Sequence, residues 1–342
     1  MHYRRLGKTS LMVSVIGFGG VPMRRMAPDE AVRVIQHALD LGVNFIDTAR
    51  SYATSEEKIG AAMKGRRDRV ILASKTMKRT AVEMRAEIEA TLRTAGTDYV
   101  DLYQIHDLAT AADFAQVTGP GGALEALVRA REQGLTRHIG VTSHQPGALG
   151  VAARSGLFET VQFPFNIIDA ELFLDMIPAC NELDLGTIAM KPLCGGALQN
   201  PPLALRYVLA HAVTTAIPGM ESIAQVDENL TAGAGEVPVL TGTEMAALRD
   251  EAERLGGEFC RRCGYCQPCA AGVDVPTILR IERYHVAYFM PEWAHEQYTA
   301  LPVRADACQD CGECEERCPY KLPVRAMLAR AHERLTAPPP AK

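Results

Sequence analysis

Features that mark two broad classes of protein are missing from this sequence. It has no unbroken run of about 18 apolar residues, the length at which a transmembrane helix becomes a candidate. The formal net charge of its 342 residues is −5, which supplies neither a basic field for nucleic acid nor a polybasic patch for a membrane surface. We therefore expect no membrane partner and no nucleic-acid partner.

We also expect no cleavable export signal. Arg4 and Arg5, with the apolar stretch that follows them, resemble a twin-arginine signal. No A-x-A cleavage site comes after the stretch, and Arg24 and Arg25 interrupt it. The segment is therefore interpreted as the first β-strand of the fold, and we expect the protein to be cytoplasmic.

The composition is that of an ordinary globular protein, with 47% hydrophobic and 23% charged residues. A chain of 342 residues can bury large cores without crosslinks and has room for about two domains. Short apolar runs rich in Val and Ile, as in buried parallel strands, alternate with amphipathic stretches from Val13 to about Leu230. Stretches such as 28–42 and 123–134 have a helical pattern and end in a capping glycine.

The apolar runs predict the strands of an α/β fold. They are VSVIGFGG (13–20), NFIDT (44–48), VILASK (70–75), VDLYQIH (100–106), HIGVTS (138–143), TVQFPF (160–165), LGTIAMK (185–191) and TTAIPG (214–219). Eight strand–helix repeats predict a (β/α)8 TIM barrel. An open doubly wound sheet is the alternative, but IGFGG in the first run lacks the G-x-G-x-x-G spacing typical of that fold.

The pattern changes after about Thr241, which predicts a second domain. The predicted organisation is a barrel over 1–240, a small α-helical domain over 241–335 and a Pro-rich, disordered tail over 336–342. Helical patterns within the second domain cover 241–257, 276–299 and 324–335. The segment 108–122 after the fourth strand is interpreted either as a lid loop or as a variable surface loop.

Polar residues at the carboxyl ends of the predicted strands are the candidates for catalysis, because active sites of such barrels lie there. Strand 2 ends at Asp47, with Tyr52 shortly after it, strand 3 ends at Lys75 and strand 4 ends at His106. A charge at the end of a very apolar strand is costly unless it is paired. We therefore expect Asp47 and Lys75 to face each other.

These residues lie in segments that resemble the aldo/keto reductase family over roughly residues 1–235. The catalytic segments of the family are matched by FIDTARSYATSEEKIG, ILASKT and DLYQIH. The opening hairpin and first strand are matched by YRRLGKTSLMVSVIGFGG. The cofactor-binding segments are matched by GVTSH, VQFPFN and IPGMESIAQVDENL.

The resemblance implies a catalytic tetrad of Asp47, Tyr52, Lys75 and His106. Reduction of a carbonyl by hydride needs a proton for the developing alkoxide, which Tyr52 would deliver. The ammonium of Lys75 would lower the pKa of that phenol, which is ordinarily near 10. Asp47 would hold Lys75 in place, and His106 would orient and polarise the substrate carbonyl.

The resemblance also implies a set of contacts to a nicotinamide cofactor. Ser143 and Gln162 would hold the carboxamide, and Met190 replaces a tyrosine that often stacks on the nicotinamide ring. His144, next to Ser143, is interpreted as a loop residue. The contacts at the adenosine end of the cofactor are Pro218, Gly219, Ser222, Glu228 and Asn229.

The choice between NAD(H) and NADP(H) depends on the residues just after I-P-G. Members of the family that use NADP usually place basic residues there, to bind the 2′-phosphate. This chain has Met220, Glu221 and Ser222. A carboxylate repels a phosphate and suits a ribose diol, so the sequence favours NAD(H).

Ten cysteines are distributed unevenly along the chain. Cys180 is interpreted as a core residue and Cys194 as a small loop residue. The others form two tight runs, Cys260, Cys263, Cys266 and Cys269, and then Cys308, Cys311, Cys314 and Cys318. Such clustering in an intracellular protein indicates metal binding rather than disulfides.

The spacing of the second run, C-x2-C-x2-C-x3-C-P, is that of bacterial ferredoxins, in which the fourth cysteine of each run binds the other of two clusters. Two [4Fe–4S] clusters are therefore predicted, one held by Cys260, Cys263, Cys266 and Cys318, the other by Cys308, Cys311, Cys314 and Cys269. Two zinc sites are the alternative. The chain resembles the subgroup of aldo/keto reductases that carries a C-terminal ferredoxin-like domain.

The predicted function is that of an NAD(P)-dependent oxidoreductase acting on a small carbonyl or alcohol substrate. The alternative is a redox-sensing or electron-carrier module in which the barrel binds cofactor without turnover. Three roles remain open for the clusters. They would exchange electrons with a redox partner protein or a flavin, stabilise their domain, or sense the redox state.

Overall fold

A computed structural model of the chain describes residues 1–24, 26–196, 198–235, 239–256, 260, 266–287, 290–318 and 322–337. The chain divides into two compact units. The barrel unit comprises Met1–Cys194 and Asn200–Met245, and the C-terminal unit comprises Gly195–Gln199 and Ala246–Lys342. No helix among the described residues is long and apolar enough to cross a membrane.

The barrel unit contains a parallel sheet of eight strands that follow one another in chain order. The strands are β3 (Phe18–Gly19), β4 (Phe45–Asp47), β5 (Ile71–Thr76), β6 (Val100–Ile105), β7 (Thr136–Thr142), β8 (Thr160–Pro164), β9 (Gly186–Met190) and β10 (Thr215–Ile217). Parallel bridges from Ile16 to Ala216 and from Gly19 to Gly219 join the first strand to the last. The predicted (β/α)8 barrel is thus confirmed.

One predicted strand is wrong in detail. The run 13–20 is divided between β2 (Met12–Ser14), which pairs with β1 (Tyr3–Arg5) in an antiparallel hairpin, and β3 of the barrel. The side chain of Asn44 explains the division. It accepts a hydrogen bond from Ser14 N and donates one to Met12 O, so the backbone of β2 is already bonded on the side that faces β4.

Helices connect successive strands of the barrel. They are α1 (Pro28–Asp40), α2 (Ser55–Met63), α3 (Ala81–Ala95), α4 (Ala111–Thr118), α5 (Ala123–Glu132), α6 (Pro146–Arg154), α7 (Met176–Glu182), α8 (Pro201–Ala210) and α9 (Ile223–Leu230). The helical patterns over 28–42 and 123–134 are confirmed by α1 and α5. The buried face of α1, with Ala31, Val34 and Ile35, has the spacing expected of an amphipathic helix.

The interpretation of 108–122 as a loop is wrong, because α4 lies within it. Thr110 caps the helix: its hydroxyl accepts from Asp113 N, and Asp113 Oδ2 accepts from Thr110 N. This reciprocal capping box satisfies two backbone donors that would otherwise lack a partner at the helix start.

The C-terminal unit is helical, as predicted. Its helices are α11 (Val275–Ala287), α12 (Pro291–Thr299), α13 (Glu313–Glu316) and α14 (Val324–Thr336), and α10 (Gly242–Gly256) leads into it. The pattern over 276–299 forms two helices rather than one, since Pro291 begins the second of them. Thr336 is helical rather than part of a disordered tail, and residues 338–342 lie outside the described residues.

The core of the C-terminal unit forms where α11, α12 and α14 pack together. Ile278, Tyr298 and Leu328 are among its buried residues. The hydroxyl of Tyr298 bonds to His332 Nδ1 over 2.7 Å and accepts from Ala305 N over 3.0 Å. These bonds fix the turn that leads into the second cysteine run.

Candidate active site

An ion pair between Asp47 and Lys75 lies inside the barrel. Asp47 ends β4, and Lys75 lies in the neighbouring strand β5. Lys75 Nζ donates to Asp47 Oδ1 over 2.5 Å and to Thr48 O over 2.9 Å. The side chains of Lys75 and Asp47 are only 1% and 3% exposed, so the two charges face each other in the interior.

Burial acts on both members of this pair. It raises the pKa of Asp47 and lowers the pKa of Lys75, and the opposite charge of each partner opposes the shift. A buried charge without a partner would be too costly and would become neutral. Each of the two residues therefore sustains the charge of the other.

Tyr52 lies in the turn between β4 and α2, beside the ion pair. The centroid of its ring is 5.2 Å from Lys75 Nζ and 6.0 Å from the centroid of the His106 ring, and the two rings are nearly perpendicular at 87°. His106 directly follows β6. The structure thus brings all four predicted residues together at the mouth of the barrel, the edge formed by the carboxyl ends of β3–β10.

Its surroundings favour the uncharged form of His106. Burial, followed by the positive charge of Lys75, lowers the pKa of His106 to about 3. Within the described part of the chain, its Nδ1 atom is buried and has no hydrogen-bond partner. A neutral imidazole can hydrogen-bond a carbonyl oxygen without supplying a second positive charge beside Lys75.

Gln104 connects the ion pair to β8. Its Nε2 donates to Asp47 Oδ2 over 3.3 Å and to Gln162 Oε1 over 3.0 Å. Gln104 was not among the residues predicted from the sequence. A signal was present, since a polar residue two positions before His106 in a wholly buried strand lies on the same face as that histidine.

Ser143 and Gln162 lie at neighbouring positions of the mouth. Ser143 follows β7, and its backbone N donates to the backbone oxygen of Gln162 over 3.0 Å. Both side chains are buried, and Ser143 Oγ donates to Leu108 O over 2.5 Å. A hydroxyl and an amide next to each other form the donor and acceptor set that suits a carboxamide.

The remaining cofactor candidates follow the last two strands. Met190 ends β9, and Pro218 and Gly219 follow β10. Ser222 caps α9, where its hydroxyl accepts from Gln225 N over 3.2 Å. On α9, Asn229 is buried and Glu228 is exposed. The start of α9 directs backbone N–H groups outward, which fits the phosphate of a dinucleotide.

Thiols from both cysteine runs line one cavity of the C-terminal unit. They belong to Cys266 and Cys269 of the first run and to Cys308, Cys311 and Cys314 of the second. A cavity lined by thiols of both runs fits a group that the two runs bind jointly.

Two of the other clustered thiols belong to the core of the unit or pack against it, and one lies outside the described residues. Cys318 is buried in the core of the unit, Cys260 packs against that core, and Cys263 lies outside the described residues. Burial, then the charge of Glu315, raises the pKa of Cys314. Within the described ranges, no three side chains of His, Cys, Asp or Glu are arranged to hold a single metal ion.

The barrel unit corresponds to a known family of enzymes. The family model described as "Aldo/keto reductase family" matches residues 15–202, a range that includes the four residues at the mouth. The chain belongs to the aldo/keto reductase family. It is therefore an NAD(P)H-dependent oxidoreductase.

Individual aldo/keto reductases and their relatives agree with this assignment. L-galactose dehydrogenase of Arabidopsis thaliana is 28% identical over 67% of this chain and 87% of its own length. The holo form of an aldo-keto reductase from Bacillus halodurans is 26% identical, with a TM-score of 0.63 over 75% of this chain and 96% of that one. An aldo-keto reductase from Klebsiella pneumoniae in complex with NADPH is 26% identical, with a TM-score of 0.61 over 73% and 94%.

The C-terminal segment has a family of its own. The model described as "4Fe-4S dicluster domain" matches residues 259–323, which contain all eight clustered cysteines. The chain thus joins an aldo/keto reductase barrel to a 4Fe-4S domain, and the match argues against the zinc alternative.

A second buried carboxylate lies behind the tetrad of this reductase. Glu56 Oε2 accepts from Arg50 Nη1 over 2.5 Å, and Glu56 Oε1 accepts from Ser74 Oγ over 2.7 Å and from Thr91 Oγ1 over 2.9 Å. The sequence analysis missed Glu56. Its position three residues before the buried Ile59, on the same face of α2, was the available signal.

Proposed function

We propose that the chain transfers hydride between a nicotinamide cofactor and a small carbonyl or alcohol substrate at the mouth of the barrel. The observation that carries this proposal is the position of Tyr52, whose ring centroid lies 5.2 Å from Lys75 Nζ and 6.0 Å from the centroid of the His106 ring. A phenol close to both an ammonium and a neutral imidazole is placed to exchange a proton with a substrate oxygen.

Each member of the tetrad has a separate role. A bound nicotinamide supplies or accepts the hydride. Tyr52 delivers a proton to the developing alkoxide, and the charge of Lys75 stabilises the phenolate left behind. Asp47 holds Lys75 charged. His106 donates a hydrogen bond to the carbonyl oxygen and so orients the substrate.

The substitution Tyr52→Phe tests this proposal, because it removes the hydroxyl and keeps the ring. We expect kcat for reduction of a panel of small aldehydes and ketones to fall by at least about a hundredfold, as in loss of a general acid. NADH affinity, measured by fluorescence quenching, should stay unchanged. Tyr3→Phe is the matched control, since Tyr3 bonds Gly42 O far from the mouth. Unchanged turnover in Tyr52→Phe would contradict the role of Tyr52, and NADH binding without turnover in the wild-type protein would favour the cofactor-binding module.

We also propose NAD(H) as the preferred cofactor. Glu221 lies directly before Ser222, which caps α9, and a carboxylate there would repel a 2′-phosphate. The Klebsiella pneumoniae relative binds NADPH, so the preference has to be measured on this chain. Initial rates should be higher with NADH, and Glu221→Gln should reduce the difference. A preference for NADPH above about tenfold, equivalent to about 1.4 kcal/mol, would contradict the proposal.

For the C-terminal unit we propose two [4Fe–4S] clusters with exchanged fourth ligands. Cys269 of the first run lines the same cavity as Cys308, Cys311 and Cys314 of the second, which supports one of the two ligand sets. Cys260, Cys263, Cys266 and Cys318 form the other set. The cavity also includes Cys266, which the proposal gives to this other set.

Iron content tests the two ligand sets. Anaerobically purified protein should contain about eight iron atoms per chain, and Cys308→Ser should lower this to about four. Cys180→Ser is the matched control, because Cys180 is a buried thiol of the barrel unit. A wild-type content of about four, or a content unaffected by Cys308→Ser, would contradict the assignment.

We propose that the clusters exchange electrons with a redox partner protein or a flavin, in a cytoplasmic protein. A hydride carries two electrons, whereas such a cluster exchanges one at a time, so a step that separates the pair is needed. An anaerobic titration with NADH, followed by the visible absorption of the clusters, tests this role. Bleaching would support it. Intact carbonyl reduction with no bleaching, even when a flavin is added, would favour a structural role.

A further inference from the structure

Asp107, the residue after His106, has an unusual backbone conformation. Its φ is +54°, in the left-handed region that residues with a Cβ atom rarely adopt, Asn and Asp being the best tolerated after glycine. Backbone strain of this kind persists only where surrounding contacts impose it, and it is concentrated at functional sites. The contacts around Asp107 therefore indicate what the strain achieves.

Three neighbouring strand ends meet at Asp107. Arg79, which follows β5, donates through Nη2 to the backbone oxygen of His106 over 2.9 Å and to that of Asp107 over 2.8 Å. Asp107 N donates to the hydroxyl of Thr142, the last residue of β7, over 2.8 Å. The carboxyl end of β6, and His106 with it, is thus held from both sides.

The side chain of Asp107 holds a second histidine at the mouth. His144 Nδ1 lies 2.7 Å from Asp107 Oδ1, and the two side chains are 14% and 28% exposed. A carboxylate only accepts hydrogen bonds, so Nδ1 carries the hydrogen and Nε2 is the second functional atom of the ring. His144 directly follows Ser143 and acts electrostatically on His106, so the two rings belong to one neighbourhood.

We propose that Asp107 is a positioning residue that fixes His106 and His144 together at the mouth, so that both imidazole rings contact the bound ligand. The proposal rests on the tetrad argued above and adds Asp107 and His144 to it. Other charged groups in the described part of this neighbourhood are Lys75 with its partner Asp47, and Arg79, which binds the backbone and is acted on by Asp113.

Three substitutions separate the two tasks of Asp107. Asp107→Asn keeps both the tolerance for a left-handed backbone and an oxygen acceptor for His144. Asp107→Gly keeps only the backbone tolerance, and Asp107→Ala keeps neither. We expect kcat/KM for carbonyl reduction to stay within about threefold of wild type in the Asn variant, and to fall about tenfold in the Gly variant and about a hundredfold in the Ala variant. The Kd for NADH should change less than kcat, and His144→Ala should resemble Asp107→Gly.

Asp184 provides a matched control. It is also an aspartate with a left-handed backbone, φ +51°, and an ion pair, with Arg5, but it lies in the turn before β9 at the opposite end of the strands. The same three substitutions there should change the free energy of unfolding and leave kcat/KM per folded molecule unaltered.

The outcomes decide between this proposal and the function on which it rests. The positioning role would be overturned by equal activity in the Asn, Gly and Ala variants of Asp107, or by the same order of activities in the three variants of Asp184. In that case an inactive Tyr52→Phe would still support the tetrad. An active Tyr52→Phe would remove the tetrad itself. If Asp107→Ala fails to fold, the comparison of the Gly and Asn variants still decides, because both suit the backbone.

Discussion

At the scale of single residues, the ion pair of Asp47 and Lys75 affects both the free energy of unfolding and the catalytic rate. Lys75→Met would leave a buried carboxylate without its cation, which costs about 3–5 kcal/mol. Adding Asp47→Asn removes the orphaned charge, so the double variant should regain most of the free energy of unfolding and remain inactive. Urea unfolding and initial rates measure the two effects. A double variant as unstable as the single one would show that the charge is not the source of the loss.

His106 should make the folded state sensitive to acid. Its pKa is about 3 in the folded chain, because burial and Lys75 disfavour the imidazolium, whereas an unfolded histidine titrates near 6.5. The unfolded chain therefore takes up this proton first as the pH falls. The contribution of His106 to stability is complete above about pH 6.5 and is lost as the pH falls toward about 3.

Substitution of His106 tests this linkage. His106→Gln and His106→Asn cannot titrate, so both should lose less free energy of unfolding than wild type between about pH 7 and pH 5. Urea unfolding at both pH values measures the difference. If the two variants lose as much as wild type, the proton taken up on acid unfolding belongs to other groups.

Single residues also show how much of the site could be predicted from the sequence alone. Asp47, Lys75 and His106 could be found because charged or titratable residues end very apolar strands. Glu56 and Asp107 had weaker signals. A glutamate in a helix and an aspartate after a strand are usually solvated, so the partners of the two residues were needed to show the burial of Glu56 and the strain of Asp107.

At the scale of elements, Asp101 connects the amino-terminal ends of three strands. Its carboxylate accepts from Arg67 over 2.8 Å, from Leu72 N over 2.9 Å and from Arg137 over 3.0 Å. The ring of Tyr99 lies between the two guanidinium groups, 4.1 Å from that of Arg67 and 4.0 Å from that of Arg137. This arrangement holds β5, β6 and β7 in register at the end remote from the mouth.

Removing this carboxylate should destabilise the barrel and leave kcat per folded molecule unchanged. Asp101→Ala leaves the buried N–H of Leu72 without its acceptor and removes the counter-charge of Arg67 and Arg137. We expect a loss of about 2–4 kcal/mol in the free energy of unfolding. Asp101→Asn should lose less, and the exposed Asp68→Ala should lose almost nothing. Urea unfolding measures these changes. A large fall in kcat per folded molecule would contradict the separation of stability at one end from catalysis at the other.

Element boundaries follow the sequence only in part. The period of the apolar runs was sufficient to predict eight strands. It did not reveal that 12–14 leaves the barrel, because the side chain of Asn44, 30 residues from Ser14, decides that pairing. The helix within 108–122 was hidden because it has only eight residues and is followed at once by Gly119 and Pro120, although Thr110 and Asp113 have the spacing of a cap.

At the scale of the whole molecule, the two compact units should respond differently to loss of iron. The core of the C-terminal unit packs directly against the cysteines, so a bound cluster would hold that unit folded. Treatment with an iron chelator and an oxidant should make 246–342 sensitive to limited proteolysis. The barrel unit should keep its affinity for NADH, because its core contains none of the clustered cysteines. If NADH binding were lost in parallel with the loss of iron, the expectation that the barrel unit stays folded without the clusters would be contradicted.

The sequence by itself predicted the repeat of strand and helix, the four residues that meet at the mouth and the two cysteine runs, because each of these depends on local patterns or on segments that resemble a family. Only the tertiary structure decided which polar groups share a site. Gln104 with Gln162, and Asp107 with His144, are separated by 58 and 37 residues along the chain. The barrel brings them together because the carboxyl ends of its parallel strands meet at one edge, and that proximity belongs to the closed sheet rather than to any segment of it.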